Sequence, residues 1–485
     1  MEFFPILPLK MSGQLSRQCT HSKGDEVADN SNLDKLLKKY DRPGPRYTSY
    51  PMVPVWKSDF GHEEYVRALE NSSKKPDEPL SIYLHIPFCR QRCWFCGCNT
   101  TTLKKEGTHN SYLDIVDKEL NLAADLLSKR RRVSQFHWGG GTPSCLSNEN
   151  TVKAFEIFSR KFKIADNAEV SIELDPRITD EERIQLLKSL GFNRLSFGVQ
   201  DFNADIQTAI GRNQDEKKTV ELYRYCRDEG FQGINFDLIY GLPKQTLGLF
   251  KDTVRKTIDL GPDRIALYNF AYLPDSKPHQ RLIRSEDLPS PSEKIELFLT
   301  AREMFLESGY KLIGMDHFVL PEDELAIAQS EGRLRRNFMG YTVKASEDWL
   351  GFGMSSISYV DNSFAQNLST LDLYQKKIEE GSFAVYRGMR LSEDDIIRQY
   401  LIADLMCNFK IDITELENKF KITFNKYFGD TLEALKIFQD DGLLIEEADA
   451  YTLTDMGKIF IRNIAMAFDS YLKGNDLKVQ FSRTV

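Results

Sequence analysis

From Leu80 to Tyr272 the chain alternates between short apolar runs and longer stretches in which apolar residues return every third or fourth position. The first pattern marks strands buried on both faces, the second amphipathic helices, and their strict alternation predicts a parallel sheet with helical crossovers. Six strands are predicted: Ser81 to Ile86, Gln135 to Trp138, Val170 to Leu174, Arg194 to Val199, Gly233 to Ile239 and Arg264 to Phe270. Between them, Leu113, Val116, Leu120 and Leu127 share one helix face, a capping box at Thr179 and Glu182 opens a helix that ends at Gly191, and Phe250, Val254 and Ile258 repeat one turn apart before Gly261. Six βα units make a partial (β/α)6 barrel, an α/β fold that is open on one side and gathers its reactive groups at the C-terminal ends of its strands.

On either side of residues 76–375 the pattern changes. Residues 1–35 are polar and without period, as a mobile tail would be, and Met11 is a second possible start. Residues 36–75 contain Tyr40 to Pro51, too rich in proline and glycine for a helix and too aromatic for a linker, which predicts a segment packed over something. Gly340 to Ser358 is expected to close the barrel domain. Residues 376–485 form a small, mainly helical C-terminal domain, opening with an amphipathic helix over Ser392 to Phe409 and carrying a possible hairpin at Gly442 to Thr454. Acidic residues around that hairpin, Asp440, Asp441, Glu446, Glu447 and Asp449, argue against a winged-helix contact with DNA.

Composition narrows the class. With 485 residues, 41% of them hydrophobic, the chain is large enough for one main domain and a smaller one. A formal charge of -8 disfavours general binding to nucleic acid or to membrane surfaces, and no apolar run is long enough to span a bilayer. The opening residues lack the basic start and apolar centre of a secretory signal, so a cytoplasmic protein is expected, in which clustered cysteines are metal ligands and not disulfides. Cys19, Cys145, Cys226 and Cys407 stand apart from one another and read as ordinary tail or core residues.

The other four cysteines, Cys89, Cys93, Cys96 and Cys98, fall in one loop directly after the first predicted strand. Spacings of three and two residues let Cys89, Cys93 and Cys96 wrap three corners of an iron-sulfur cube, whereas a closed zinc site usually joins two distant C-x-x-C knuckles. A zinc loop using all four cysteines is the alternative. His137 to Pro143, with three consecutive glycines after the second strand, is either a backbone-lined ligand loop or a tight turn. Glu173, Gln200 and Asp237 are polar residues at the ends of apolar strands; they accept or donate hydrogen bonds to a ligand, or pair internally with Arg or Lys.

The C-x-x-x-C-x-x-C spacing resembles the radical S-adenosylmethionine enzymes. With Cys98, the lead-in Tyr83-x-His85-Ile86-Pro87-Phe88, the Pro45 to Pro51 segment, and Gly191 to Ser196, Gly314 to Phe318, Arg336 to Thr342 and the terminal Gln480 to Arg483, it resembles the oxygen-independent coproporphyrinogen III oxidases from Tyr40 to the end. That resemblance implies a 4Fe-4S cluster on Cys89, Cys93 and Cys96, with two S-adenosylmethionine molecules beside it. It further implies that Tyr83, Gly140, Glu173, Ala271 and Ile357 hold the first and Phe95, Gly141, Thr142, Gln200, Arg212 and Asp237 the second, with Tyr83, Glu173 and Cys98 taking part in catalysis. The segment after Tyr40 is then expected to lie across the active site.

The implied reaction converts two propionates of coproporphyrinogen III to vinyl groups without dioxygen, giving protoporphyrinogen IX in haem biosynthesis, through a 5'-deoxyadenosyl radical. A low-potential electron donor such as a flavodoxin or ferredoxin would supply the reducing electron, and the chain would act as a monomer. Met339 departs from the family pattern, where Gln is usual. Arg46, Arg335 and Arg336 are the candidates for binding the propionates, if they are not simply solvated charges. The rival readings are a haem-carrying chaperone on the same scaffold, which typically lacks the fourth cysteine, and a radical enzyme with another substrate.

Overall fold

In the computed structural model the described residues are 23–102, 107–344, 346–472 and 481–484. Met11, Cys19, Gln480 and the first 22 residues of the expected tail lie outside them. Twelve strands make one continuous sheet: β1 (Leu80–Ile86), β2 (Arg132–Gly140), β3 (Lys163–Leu174), β4 (Arg194–Gln200), β5 (Gly233–Tyr240), β6 (Arg264–Asn269), β7 (Lys311–Ile313), β8 (His317–Val319), β9 (Trp349–Phe352), β10 (Ile357–Val360), β11 (Ser363–Asn367) and β12 (Val385–Arg390). Strands β1 to β6 lie side by side in chain order, every neighbouring pair parallel.

A seventh parallel strand, β9, pairs with the free edge of β1, with Ser81 opposite Trp349 and Tyr83 opposite Gly351. Its four residues, with Phe352 set between two glycines, carry no periodic signal, so the closing segment expected over Gly340 to Ser358 resolves into this parallel strand followed by the antiparallel β10. Antiparallel β8 covers the opposite edge beside β6. Both exposed edges of the six-stranded barrel are therefore paired, and no bare run of backbone donors and acceptors faces outward there.

Burial explains the strand patterns. All of β1 except Tyr83 is buried, consistent with its near-continuous apolar run. In β4, Leu195, Phe197 and Val199 turn into the helix layer, while Arg194, Ser196, Gly198 and Gln200 line the less buried inner face. The barrel lumen is thus polar and its outside apolar.

Two expectations change. The helix after β3 spans Glu181–Ser189 and is capped by Asp180, whose carboxylate accepts from Arg183 N at 2.9 Å; the Thr179 hydroxyl instead donates back to the Asp175 carbonyl at 2.9 Å. The stretch read as aperiodic up to residue 35 includes most of a helix, Lys23–Tyr40, in which Leu33, Leu36, Leu37 and Tyr40 pack against the core at i, i+3, i+4 and i+7. Tyr40 packs between Phe438 and Phe460 of the C-terminal region with its ring tilted to both. That region is mainly helical, with a three-stranded sheet of Lys410–Asp412, Ala450–Leu453 and Leu444–Glu446. Its first helix, Glu393–Asn408, begins with a capping box between Ser392 and Asp395.

Candidate active site

β1 ends at Ile86, and the chain turns at once into the cysteine loop, which therefore sits at the C-terminal rim of the barrel. Cys89 and Cys93 are buried, Cys96 half-buried and Cys98 exposed. All four line one cavity of about 460 Å³ that also takes in Phe95, Gly140, Gly141, Thr142, Glu173, Gln200, Arg212, Asp237 and Ala271. Residues from five different strand ends thus meet around the cysteines. Among the described residues no three His, Cys, Asp or Glu side chains converge as a single-ion site, whereas a cube of iron and sulfide takes one thiolate at each corner.

The glycine loop after β2 is shaped by close approach. Gly140 has φ +119°, and a Cβ there would lie 2.6 Å from the His85 ring; at Gly141 it would lie 2.8 Å from the Phe88 carbonyl. The loop is tied down by Gly141 N to the Ile86 carbonyl (2.8 Å) and Thr142 N to the Phe88 carbonyl (2.9 Å). Those bonds bring the Thr142 hydroxyl to 3.3 Å from Cys89 Sγ. Gly140 N donates to Glu173 Oε2 at 3.2 Å.

His85 is pushed down to about 4 by burial, so its ring is neutral at physiological pH. Its Nε2 donates to the Asn99 carbonyl (3.1 Å), leaving Nδ1 to accept from the Tyr83 hydroxyl (3.0 Å). Tyr83 stacks on His137 behind the glycine loop and does not itself line the cavity. Ile357 stands further apart: it starts β10 and packs in the cluster of Trp56, Tyr359, Phe364 and Leu391. It does not line the cysteine cavity.

Cys93 has cationic neighbours. Arg212 Nη1 and Arg177 Nη2 approach its sulfur at 3.5 and 3.6 Å, and Asp175 holds both guanidiniums, accepting from Arg212 at 3.2 Å and from Arg177 at 2.7 Å. Burial raises the Asp175 carboxyl, but the two arginines outweigh it and hold it below its ordinary value. Asp175 and Arg177 were not singled out from sequence, although Asp175-Pro176-Arg177 directly follows Glu173 at a strand end. Nor was Tyr268 on β6, which also lines the cavity. Burial pushes the Cys89 thiol up to about 11, whereas hydrogen bonding from Cys98 pulls Cys96 down to about 6. Asp237 is pushed up to about 7 by burial, with the Glu173 charge adding; it accepts from Asn235 at 2.8 Å and Ser196 at 3.2 Å.

The donor set fits an iron-sulfur cluster: three thiols on one loop at the correct spacing, with a hydroxyl and two guanidiniums directed at their sulfurs. Residues 83–257 match the Radical SAM superfamily and residues 391–460 the HemN C-terminal domain. Barrel, loop and family match define a radical S-adenosylmethionine enzyme, whose chemistry uses a 4Fe-4S cluster and S-adenosylmethionine. Over 455 residues the chain is 43% identical to the oxygen-independent coproporphyrinogen III oxidase of Synechocystis sp., covering 93% of this chain and 97% of the relative. It is 41% identical over 450 residues to the enzyme of the same name from Escherichia coli, with coverage of 93% and 98%. A solved structure, described as "Coproporphyrinogen III oxidase (HemN) from Escherichia coli is a Radical SAM enzyme", superposes with a TM-score of 0.86 at 41% identity, covering 90% of this chain and 99% of that one. The chain belongs to the oxygen-independent coproporphyrinogen III oxidases.

Proposed function

We propose that this chain decarboxylates two propionates of coproporphyrinogen III to vinyl groups without dioxygen, yielding protoporphyrinogen IX. The observation that carries the proposal is the meeting of Cys89, Cys93, Cys96 and Cys98 with Glu173, Gln200, Arg212 and Asp237 around one cavity at the C-terminal rim of the barrel. Relatives named as oxidases over nearly their full length support it, and they do not favour the haem-carrying alternative.

Cys89, Cys93 and Cys96 would hold the cluster, with Cys98 beside it. When bound, the cluster and S-adenosylmethionine supply reductive radical chemistry that removes a hydrogen from a propionate β-carbon. Arg177 and Arg212 would stabilise the thiolate of Cys93, and Thr142 would donate to Cys89. Glu173, already accepting from Gly140 N, offers its carboxylate to one S-adenosylmethionine together with Gly140 and Ala271. Asp237, Gln200 and Arg212, with Phe95, Gly141 and Thr142, are assigned to a second. Positioning of the reacting atoms and exclusion of water are the protein's main contributions.

The proposal extends to a low-potential flavodoxin or ferredoxin as electron donor and to a monomer acting in the cytoplasm. No helix among the described residues is long and apolar enough to cross a membrane. The deciding experiment is anaerobic incubation of the iron-loaded protein with reductant, S-adenosylmethionine and coproporphyrinogen III, followed by pigment chromatography. Protoporphyrin after oxidation, with two 5'-deoxyadenosine molecules per product, is the expected result; tight haem binding with no vinyl product would overturn the proposal.

A further inference from the structure

A second cavity, of about 530 Å³, lies beneath the Tyr47 to Tyr50 segment and is lined by Arg336, Trp349, Tyr359, Gln399 and Tyr400. Two of its walls carry buried donors with no acceptor among the described residues: Nε and Nη1 of Arg336, and Nε1 of Trp349. Leaving such groups unpaired is costly, most of all on a permanent cation, so an arrangement of this kind calls for an anionic ligand with free oxygen lone pairs.

Of the three arginines considered for binding propionates, two already have partners. Arg46 donates to Asp316 at 2.6 Å, and Arg335 donates to the Leu334 carbonyl at 2.9 Å with Asp404 at 3.6 Å. Arg336 lies over the Tyr341 ring, 4.8 Å from its centroid, and the Asp316 charge acts on it without forming a salt bridge among the described residues. The carboxylates lining the same cavity do not compete for it. Asp348 is bound by Arg130 at 2.5 Å, Glu347 by Lys75 at 2.7 Å, and Asp361 by Asn71 at 2.9 Å.

The hairpin that carries Arg336 also reaches the barrel lumen. Met339, Gly340 and Tyr341 line an inner cavity shared with Glu173, Asp237 and Tyr268, and those last three also line the cysteine cavity. The charges of Arg336 and Arg46 both act on the Tyr268 hydroxyl. Arg336 pairs with Tyr341 across the hairpin, so the cation lines one cavity while the ring it lies over lines the other.

We propose that Arg336, assisted by Trp349 Nε1, is the subsite that binds a propionate carboxylate of the tetrapyrrole substrate, with the Tyr47, Trp349 and Tyr400 rings giving an apolar wall for its pyrroles. This rests on the tetrapyrrole reading of the function. Four propionates are spread around such a macrocycle, so holding one away from the reacting end orients the whole molecule.

Coproporphyrin III, the stable aromatic form of the substrate, and its tetramethyl ester serve as probes for anaerobic fluorescence titration of the iron-loaded protein. The wild-type protein is expected to prefer the tetra-acid over the ester by about tenfold or more. In Arg336→Met that preference should collapse, Arg336→Lys should restore part of it, and Trp349→Phe should weaken tetra-acid binding by a few fold. Iron content and melting temperature report the fold. If Arg336→Met does not fold, unchanged tetra-acid affinity in both Arg336→Lys and Trp349→Phe overturns the subsite. So does an undiminished acid preference in a folded Arg336→Met. A wild-type protein that binds neither porphyrin overturns the tetrapyrrole reading itself, an outcome distinct from either.

Discussion

Asp237 shows how a single side chain couples site and stability. Its carboxyl is near 7 in the folded protein but near 4 in an unfolded chain, so between those values the folded state holds the extra proton. The contribution of Asp237 to stability is therefore greatest below about pH 4 and declines as pH rises towards 7. Asp237→Asn should flatten that decline and stabilise the ligand-free protein at pH 8 by about 1 kcal/mol, after allowance for water in the open cavity. Thermal unfolding at pH 5 and pH 8 checks it, and an unaltered pH dependence would count against the assignment. The same substitution should weaken S-adenosylmethionine binding by about tenfold, because ribose hydroxyls would lose a charged acceptor.

The cysteines separate at the same scale. Cys93→Ala should abolish the iron-sulfur absorption, since the sulfur approached by both Arg177 and Arg212 is lost. Cys98 is the exposed member of the loop, and Cys98→Ala should keep the absorption while losing turnover. Equal iron loss in the two variants, measured by iron and sulfide analysis, would mean that Cys98 is a ligand.

Among the elements, the helix Thr108–Leu127 shows what a face pattern conceals. Glu119 lies beside Val116 and Leu120 of the apolar face and is only 2% exposed. Its carboxylate accepts from Gly353 N at 2.8 Å, from Asn367 at 2.6 Å and from Tyr374 at 2.6 Å, joining the helix to the turn between β9 and β10 and to β11. Glu119→Leu removes the acceptor of Gly353 N and of the Tyr374 hydroxyl, while Asn367 keeps the Gly353 carbonyl at 3.0 Å, and should cost about 3 kcal/mol or more. Chemical denaturation measures this directly; a loss below about 1 kcal/mol would show that the network is dispensable.

At the level of the whole molecule, the Gly44 and Pro45 segment is joined to Arg483 near the other end of the described residues through Arg462. Buried in the C-terminal region, it donates to the carbonyls of Pro45 (2.9 Å), Arg483 (2.7 Å) and Gly44. The Tyr47 hydroxyl adds a bond to Asp469 at 2.9 Å. Together these contacts hold the segment that lines the second cavity. Arg462→Ala strands those carbonyls and should destabilise the protein by about 3 kcal/mol, with faster proteolytic cutting near residues 42–50. A segment as protease-resistant as in the wild-type protein would show that the aromatic packing of Tyr40, Tyr47 and Tyr50 suffices without it.

Local pattern by itself determined the six parallel strands, the cysteine loop at the end of the first, the glycine loop at the end of the second, and the helix limits at Ser392 and Gly261. Each is written in residues within one or two turns of each other, where strand period, helix period and backbone freedom act directly. Tertiary structure decided the rest. It added β9 beside β1, set Ile357 into an aromatic cluster and not into the lining of the cysteine cavity, and brought Arg177 to Cys93 across 84 positions. It also decided which of three arginines would keep donors free, since Arg46 meets Asp316 from 270 positions away while Nε and Nη1 of Arg336 have no hydrogen-bond partner among the described residues. Such pairings depend on which elements become neighbours, and periodicity within a segment carries no record of what lies across the barrel.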